Sequence, residues 1–266
     1  MSKRRGTRPE LRLRLGVAAF LWMLGLGAWA QFFTEPAQET ARPTVERLEH
    51  EFYFTRGIYT SGDRDEWVPR WAVDYPKADQ QFLVALRRLT AVDAFDSEHA
   101  LALYGDELGD FPFVYALEVG SLNLDEQQAL ALRRYLLSGG FLVIDDFWGS
   151  WDWEHFKAQM LRVFPEHEIV EVPLEHPVFH AFYDIADILQ VPNVRQADGG
   201  PTHELDGIVP HVRGIFDDKG RLMVLINWNT DLGDAWEWAD LPQYPLRYST
   251  YAYEMGINFV IYAMTH

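Results

Sequence analysis

No cysteine occurs among the 266 residues. Disulfides, thiolate nucleophiles and cysteine metal ligands are therefore excluded, and stability has to come from a buried core. Basic residues are scarce: 23 Lys and Arg stand against 40 Asp and Glu, a formal net charge of −17. So acidic a surface is repelled by nucleic acid and by anionic lipid, both polyanions. No glycine pattern fits a phosphate-cradling loop or a dinucleotide fingerprint, and no Gly-x-Ser-x-Gly elbow is present, which removes the usual sequence marks of nucleotide binding and serine hydrolysis. Internal repeats and low-complexity tracts are missing as well. Residues 15–30 form an uncharged, mostly apolar stretch of 16 residues, short of the roughly 20 apolar residues that span a bilayer.

That stretch follows six basic residues and one acid in residues 1–14 and ends Ala28-Trp29-Ala30, a small-x-small cleavage pattern. The order predicts a signal peptide over residues 1–30 and export to the periplasm or beyond, the alternative being an uncleaved anchor over 15–30. Membrane contact is expected through this segment only. Its removal takes away +6 and −1, so the mature charge is −17 − 5 = −22. Residues 31–49, polar and without period, read as a linker. Residues 50–266 read as one α/β domain, since 48% hydrophobic content is enough to bury a full core.

The clearest unit runs over residues 113–146. Residues 113–117 are apolar and suit a strand, and Asn123 with Glu126 three residues on suggests a capping box. Ala129, Leu132 and Leu136 share one helical face, and Gly139-Gly140 stop the helix. Residues 141–144 form an unbroken apolar run, as in a strand covered on both faces, with Asp145 and Asp146 at its end. Strand, helix, strand in this order predicts a parallel sheet. A first strand is expected over residues 51–55, a helix over 78–90, and a strand over 168–172. A hairpin is expected over 211–227, with Asp217-Asp218-Lys219-Gly220 as its turn, on the edge of the sheet. A closing helix is expected over 251–264.

Several stretches resemble an uncharacterised bacterial family, domain of unknown function 4159. They are FYFTRGIY, WAVDYPKADQQF, FPFVYALEVGSLNLDEQQALALRRYLLSGGFLVIDD, EHPVF, GIF with VLIN after the turn, and EMGINFVIYA. The resemblance spans nearly all of the mature chain and implies a class I glutamine amidotransferase-like fold, a three-layer flavodoxin-like sandwich with a mainly parallel sheet. True amidotransferases of that fold use a Cys-His-Glu triad, which a chain without cysteine cannot build. The resemblance implies a fold and brings no site residues with it.

Open parallel sheets bind ligands beyond the carboxyl ends of their strands. That rule selects Arg56, Glu118, Asp145, Asp146, His176, Trp228 and Asp231. Asp145 and Asp146 are candidates for catalysis or for holding a hard cation through oxygen. The alternative is that one caps a helix or loop and the other binds a backbone amide. His176 joins them as a candidate acid or base. Its spacing to His180 suits a metal helix, but Pro177 stands where a zinc motif has Glu. Arg56 could meet an anionic ligand or form an internal ion pair. Trp148 and Trp228 could present stacking faces to a sugar or a partner, or close a satellite core.

Three functions remain open. The first is an exported, non-enzymatic domain that binds a protein partner or a small-molecule or carbohydrate ligand in the strand-end cleft. The second is a metal-assisted or acid/base hydrolase using Asp145 or Asp146 with His176. The third is a structural subunit of an envelope complex. The sequence specifies no cofactor.

Overall fold

A computed structural model describes residues 50–62, 68–197 and 199–266. The expected signal peptide and linker, and the loop residues Asp63, Asp65 and Trp67, lie outside the described residues. Among the described residues, seven strands form one sheet: β1 (Thr55–Ile58), β2 (His99–Ala102), β3 (Phe113–Leu117), β4 (Phe141–Asp145), β5 (Val170–Glu171), β6 (His211–Phe216) and β7 (Leu222–Trp228). Their order across the sheet is β2-β1-β3-β4-β7-β6-β5. The first five in that order run parallel, while β6 runs against β7 and β5 against β6. The helices are α1 (Lys77–Leu89), α2 (Glu126–Leu137), α3 (Gly149–Val163), α4 (Leu232–Glu237) and α5 (Leu246–Thr265). No helix among the described residues is long and apolar enough to cross a membrane.

β4 lies between β3 and β7, in register from Phe113↔Phe141 to Leu117↔Asp145. All five residues of β3 and of β4 are buried. The side chains alternate as the pleat requires. Phe113, Tyr115, Leu117, Phe141 and Val143 pack with Phe82 of α1 and Phe259 of α5 on one face. Val114, Ala116, Leu142 and Ile144 pack with Leu132 of α2 and Phe156 of α3 on the other. Each such aliphatic or Phe side chain contributes roughly 1.5–3 kcal/mol on burial, so a continuous apolar run is what a strand covered on both faces needs.

Several boundaries differ from the sequence reading. The first ladder forms at Thr55–Ile58 rather than 51–55, so Arg56 and Gly57, expected beyond the strand, lie inside it. Phe52 and Phe54 are buried, but only Phe52 bridges, to Ala94. Gly57 is required there: a Cβ would come within 2.6 Å of Leu103 Cδ2. α2 is capped by Asp125, whose carboxylate accepts from Gln128 N while the Gln128 side chain accepts from Asp125 N. Asn123 therefore lies outside the capping box. The β6–β7 hairpin forms, with Asp217 Oδ1 accepting from Lys219 N and Arg221 N and Gly220 at φ 83°. The two-residue β5 lies outside it and takes the edge. α5 starts five residues earlier than expected, at Leu246.

Candidate functional site

The carboxyl ends of β3, β4 and β7, with the segment leading into α1 and the long loop after residue 191, enclose a cleft of about 560 Å³. Strand order reverses between β1 and β3, so the cleft opens where ligands bind in sheets of this kind. Its lining holds eight carboxylates (Asp74, Glu118, Asp146, Asp152, Glu204, Asp231, Asp234, Glu237) against two guanidinium groups (Arg70, Arg195). Backbone strain collects in the same place. Asp74 (φ 60°), Glu118 (φ 55°), Asp146 (φ 46°) and Leu205 (φ 48°) are left-handed and line the cleft. Such a conformation costs a non-glycine residue on the order of 1 kcal/mol and persists where surrounding contacts enforce it.

At the floor, oxygens of Asp74, Asp146 and Asp231 lie within 4.8 Å of one another. Asp146 and Asp231 are buried, at 6% and 2% exposure. Each commits one oxygen locally: Trp148 Nε1 donates to Asp146 Oδ1 (2.8 Å), and Asp234 N donates to Asp231 Oδ1 (2.7 Å). The second contact caps α4. Asp74 Oδ2 is buried and has no hydrogen-bond partner. Burial, followed by other carboxylates, pushes all three well above the usual range; the neighbour acting most strongly is Asp234 on Asp74, Glu118 on Asp146 and Asp146 on Asp231. Glu118 is pushed up to about 7 by burial, against the opposing pull of Arg70, whose Nη1 lies 3.1 Å from its carboxylate.

The adjacent pair expected at the end of β4 divides. Asp146 enters the cleft. Asp145 turns to the Tyr115 side, where its Oδ2 accepts from Tyr115 OH (2.6 Å), Leu232 N (2.9 Å) and Gly233 N (3.1 Å). It anchors the start of α4, and burial pushes it up to about 7 against those bonds. Glu118, Trp148 and Asp231 line the cleft. Trp148 is 4% exposed and serves as donor to Asp146, so its face is not open for stacking.

Three candidates lie elsewhere. Arg56 is fully buried in β1 and pairs with Asp79 of α1 through two guanidinium nitrogens, its guanidinium 4.9 Å from the Tyr115 ring centre. Asp79, in the first turn of α1, is thus the counter-ion of a core arginine. Trp228 lies outside the cleft lining: its indole donates to Gly149 O (3.2 Å), and Arg213 packs over both Trp228 (4.6 Å) and Trp153 (4.3 Å). His176 sits at the opposite end of the sheet, its ring 5.6 Å from those of Phe216 and Tyr262. Phe216 pairs with Leu222 at the amino end of β7, and Tyr262 stacks near Phe141 at the amino end of β4. His176 cannot share a site with Asp146. Pro177 sets it as a cap, Nδ1 accepting from Val178 N (3.2 Å).

Sequence reasoning gives Asp74 to the start of a helix rather than to a site, and it passes over Asp234 and Glu237. Asp74 precedes Tyr75-Pro76 in a segment with no period, and only the return of α4 against α1 brings Asp234 near it. The density of acids in Trp228–Leu246 was the one available signal. Comparison with curated proteins returns no match. The family described as Domain of unknown function (DUF4159) matches residues 60–264, most of the chain and every strand that walls the cleft, and the chain belongs to that family.

Proposed function

We propose that this chain is an exported, non-enzymatic domain of class I glutamine amidotransferase-like, flavodoxin-type fold, and that its acidic strand-end cleft binds a positively charged ligand or the basic segment of a protein partner. The fold assignment is supported by the β2-β1-β3-β4 order and by helices on both faces. Export is supported by the basic, apolar, small-x-small order of residues 1–30. The single observation that carries the ligand class is the concentration of eight carboxylates against two arginines in one cleft. Low-dielectric walls focus the field of such a lining and favour cations over anions. A stacked sugar fits less well, because Trp148 and Trp228 spend their indoles on internal contacts. Hydrolysis by Asp146 with His176 lacks a shared site. A structural envelope subunit calls for a broad apolar face away from the cleft, and the exposed apolar side chains there fall on separate elements, among them Leu89 on α1, Leu137 on α2 and Leu161 on α3.

Thermal-shift titration of the protein with spermine and a Lys-rich peptide, against glucose and an Asp-rich peptide, tests the ligand class. Stabilisation by the cationic probes that weakens in Glu118→Gln/Glu204→Gln is the expected result. Equal responses to all four probes, or none to the cationic pair, would overturn it. For export, sequencing of the protein recovered from the periplasm should begin at Gln31; recovery of an intact residue 1–30 segment in a cytoplasmic fraction would refute it.

A further inference from the structure

We infer that Asp74, Asp146 and Asp231 form a binding site for a hard divalent cation, Ca²⁺ or Mg²⁺, at the floor of the cleft. The inference rests on the cleft being a cation-binding site and names the ligand class and the ligating residues. Three side chains from separate parts of the chain, before α1, after β4 and before α4, bring oxygens within 4.8 Å of one another. Oxygens around a common ion at 2.0–2.6 Å fall within that span.

Proximity of carboxylates alone would not establish a site. The further observation is that one oxygen of the triple is buried and lacks a donor that would satisfy it. Asp74 Oδ2 is buried without a hydrogen-bond partner. Asp146 and Asp231 each hold one oxygen in a single bond from their own loop, which fixes the carboxylate and leaves the other oxygen for a ligand. The nearest core cation is committed elsewhere, since Arg56 pairs with Asp79. Buried carboxylates without a counter-charge are unfavourable, and a divalent ion supplies the missing charge in one atom. A second triple, Asp74 with Asp234 and Glu237, is equally close, but both oxygens of Asp234 already accept, from Val194 N and Trp238 Nε1. The donor set is oxygen only, with no His in the cleft lining, which suits Ca²⁺ or Mg²⁺ and disfavours Zn²⁺. The open cleft above leaves room for coordinated water.

The test uses the whole protein, stripped with EDTA and dialysed, and titrated calorimetrically and by thermal shift with CaCl₂ and with MgCl₂. NaCl at matched ionic strength and spermine serve as controls. The expected result is one-to-one binding of Ca²⁺ or Mg²⁺, with a Tm rise of about 5–10 °C at a hundredfold excess over Kd. Whichever ion binds more tightly identifies the occupant. Asp146→Asn and Asp231→Asn should each abolish that rise. Both should fold, because each removes a charge from a crowded buried set, and their metal-free Tm should equal or exceed that of the wild type. Asp187→Asn, exposed and outside the cleft, should keep the response. If spermine stabilises the wild type while Ca²⁺ and Mg²⁺ do no more than NaCl, the metal site is overturned and the cationic cleft stands. If the metal response survives in both Asn variants, the site is elsewhere and the assignment falls. If no cation stabilises the protein, both readings fall.

Discussion

Arg56 and Asp79 illustrate how a buried charge is held in this protein. Both side chains are fully buried, and the guanidinium also donates to Val73 O (3.4 Å). Burial raises the Asp79 carboxyl and the neighbouring Arg56 opposes that rise. Removing one partner strands the other, which typically costs about 3–5 kcal/mol, whereas replacing both with apolar groups can be near neutral. Arg56→Met should therefore lower the urea midpoint sharply, and Arg56→Met/Asp79→Leu should recover most of the loss. Equal midpoints for the single and double variants would show that the pair is not coupled. Asp145 is the second such residue. Its Oδ2 serves three donors, so Asp145→Ala orphans Tyr115 OH and the amides of Leu232 and Gly233. A buried donor left unsatisfied costs about 1–3 kcal/mol, and a total loss of about 2–4 kcal/mol by chemical denaturation is expected. Asp145→Asn keeps an acceptor oxygen and should lose less.

At the scale of elements, the segment from β3 through α2 to β4 was legible because each part carries its own local signal. Apolar runs mark the strands, a three-and-four spacing marks the helix, and Gly139 at φ 115° marks its end. The cap lies two residues beyond Asn123 because Asn123 and Asp125 both precede the helical run and both have capping side chains. The geometry selects Asp125, with Gln128 closing the box. Asp125→Ala should thus cost about 1 kcal/mol of stability and Asn123→Ala close to nothing; equal losses in thermal unfolding would show that Asn123 caps the helix as well. β1 was misplaced because Phe52 and Phe54 look like a strand core while Arg56 and Gly57 look like a loop, and the local pattern cannot reveal that Asp79 will neutralise the arginine. The site was legible in part for the same reason. Asp146 and Asp231 follow directly from strand ends, whereas Asp74 becomes a cleft residue only through the packing of α4 on α1, elements far apart in the chain.

For the whole molecule, the parallel sheet gives two chemically different ends. The carboxyl ends of the strands gather acids without enough bases. The amino ends are closed by aromatic rings around His176, with His266 nearby. Burial, and then His266, hold His176 below its ordinary value. A depressed histidine lends stability that is complete above about pH 6.5 and is lost as the pH falls through the folded value. Protonation of Nδ1 also removes the acceptor for Val178 N. His176→Asn keeps a capping oxygen that does not titrate, so acidification from pH 7.5 to 5 should shift the Tm difference in its favour by about 2–4 °C, the worth of one hydrogen bond in a domain of this size. Because the ring and the carboxylates occupy opposite ends of the sheet, the same variant should keep the full Ca²⁺ or Mg²⁺ response of the wild type. A cation response that disappears with His176 would mean that the two ends are coupled through the strands between them, and the cleft would then have to be treated as part of one continuous network rather than as a site the fold isolates at one rim.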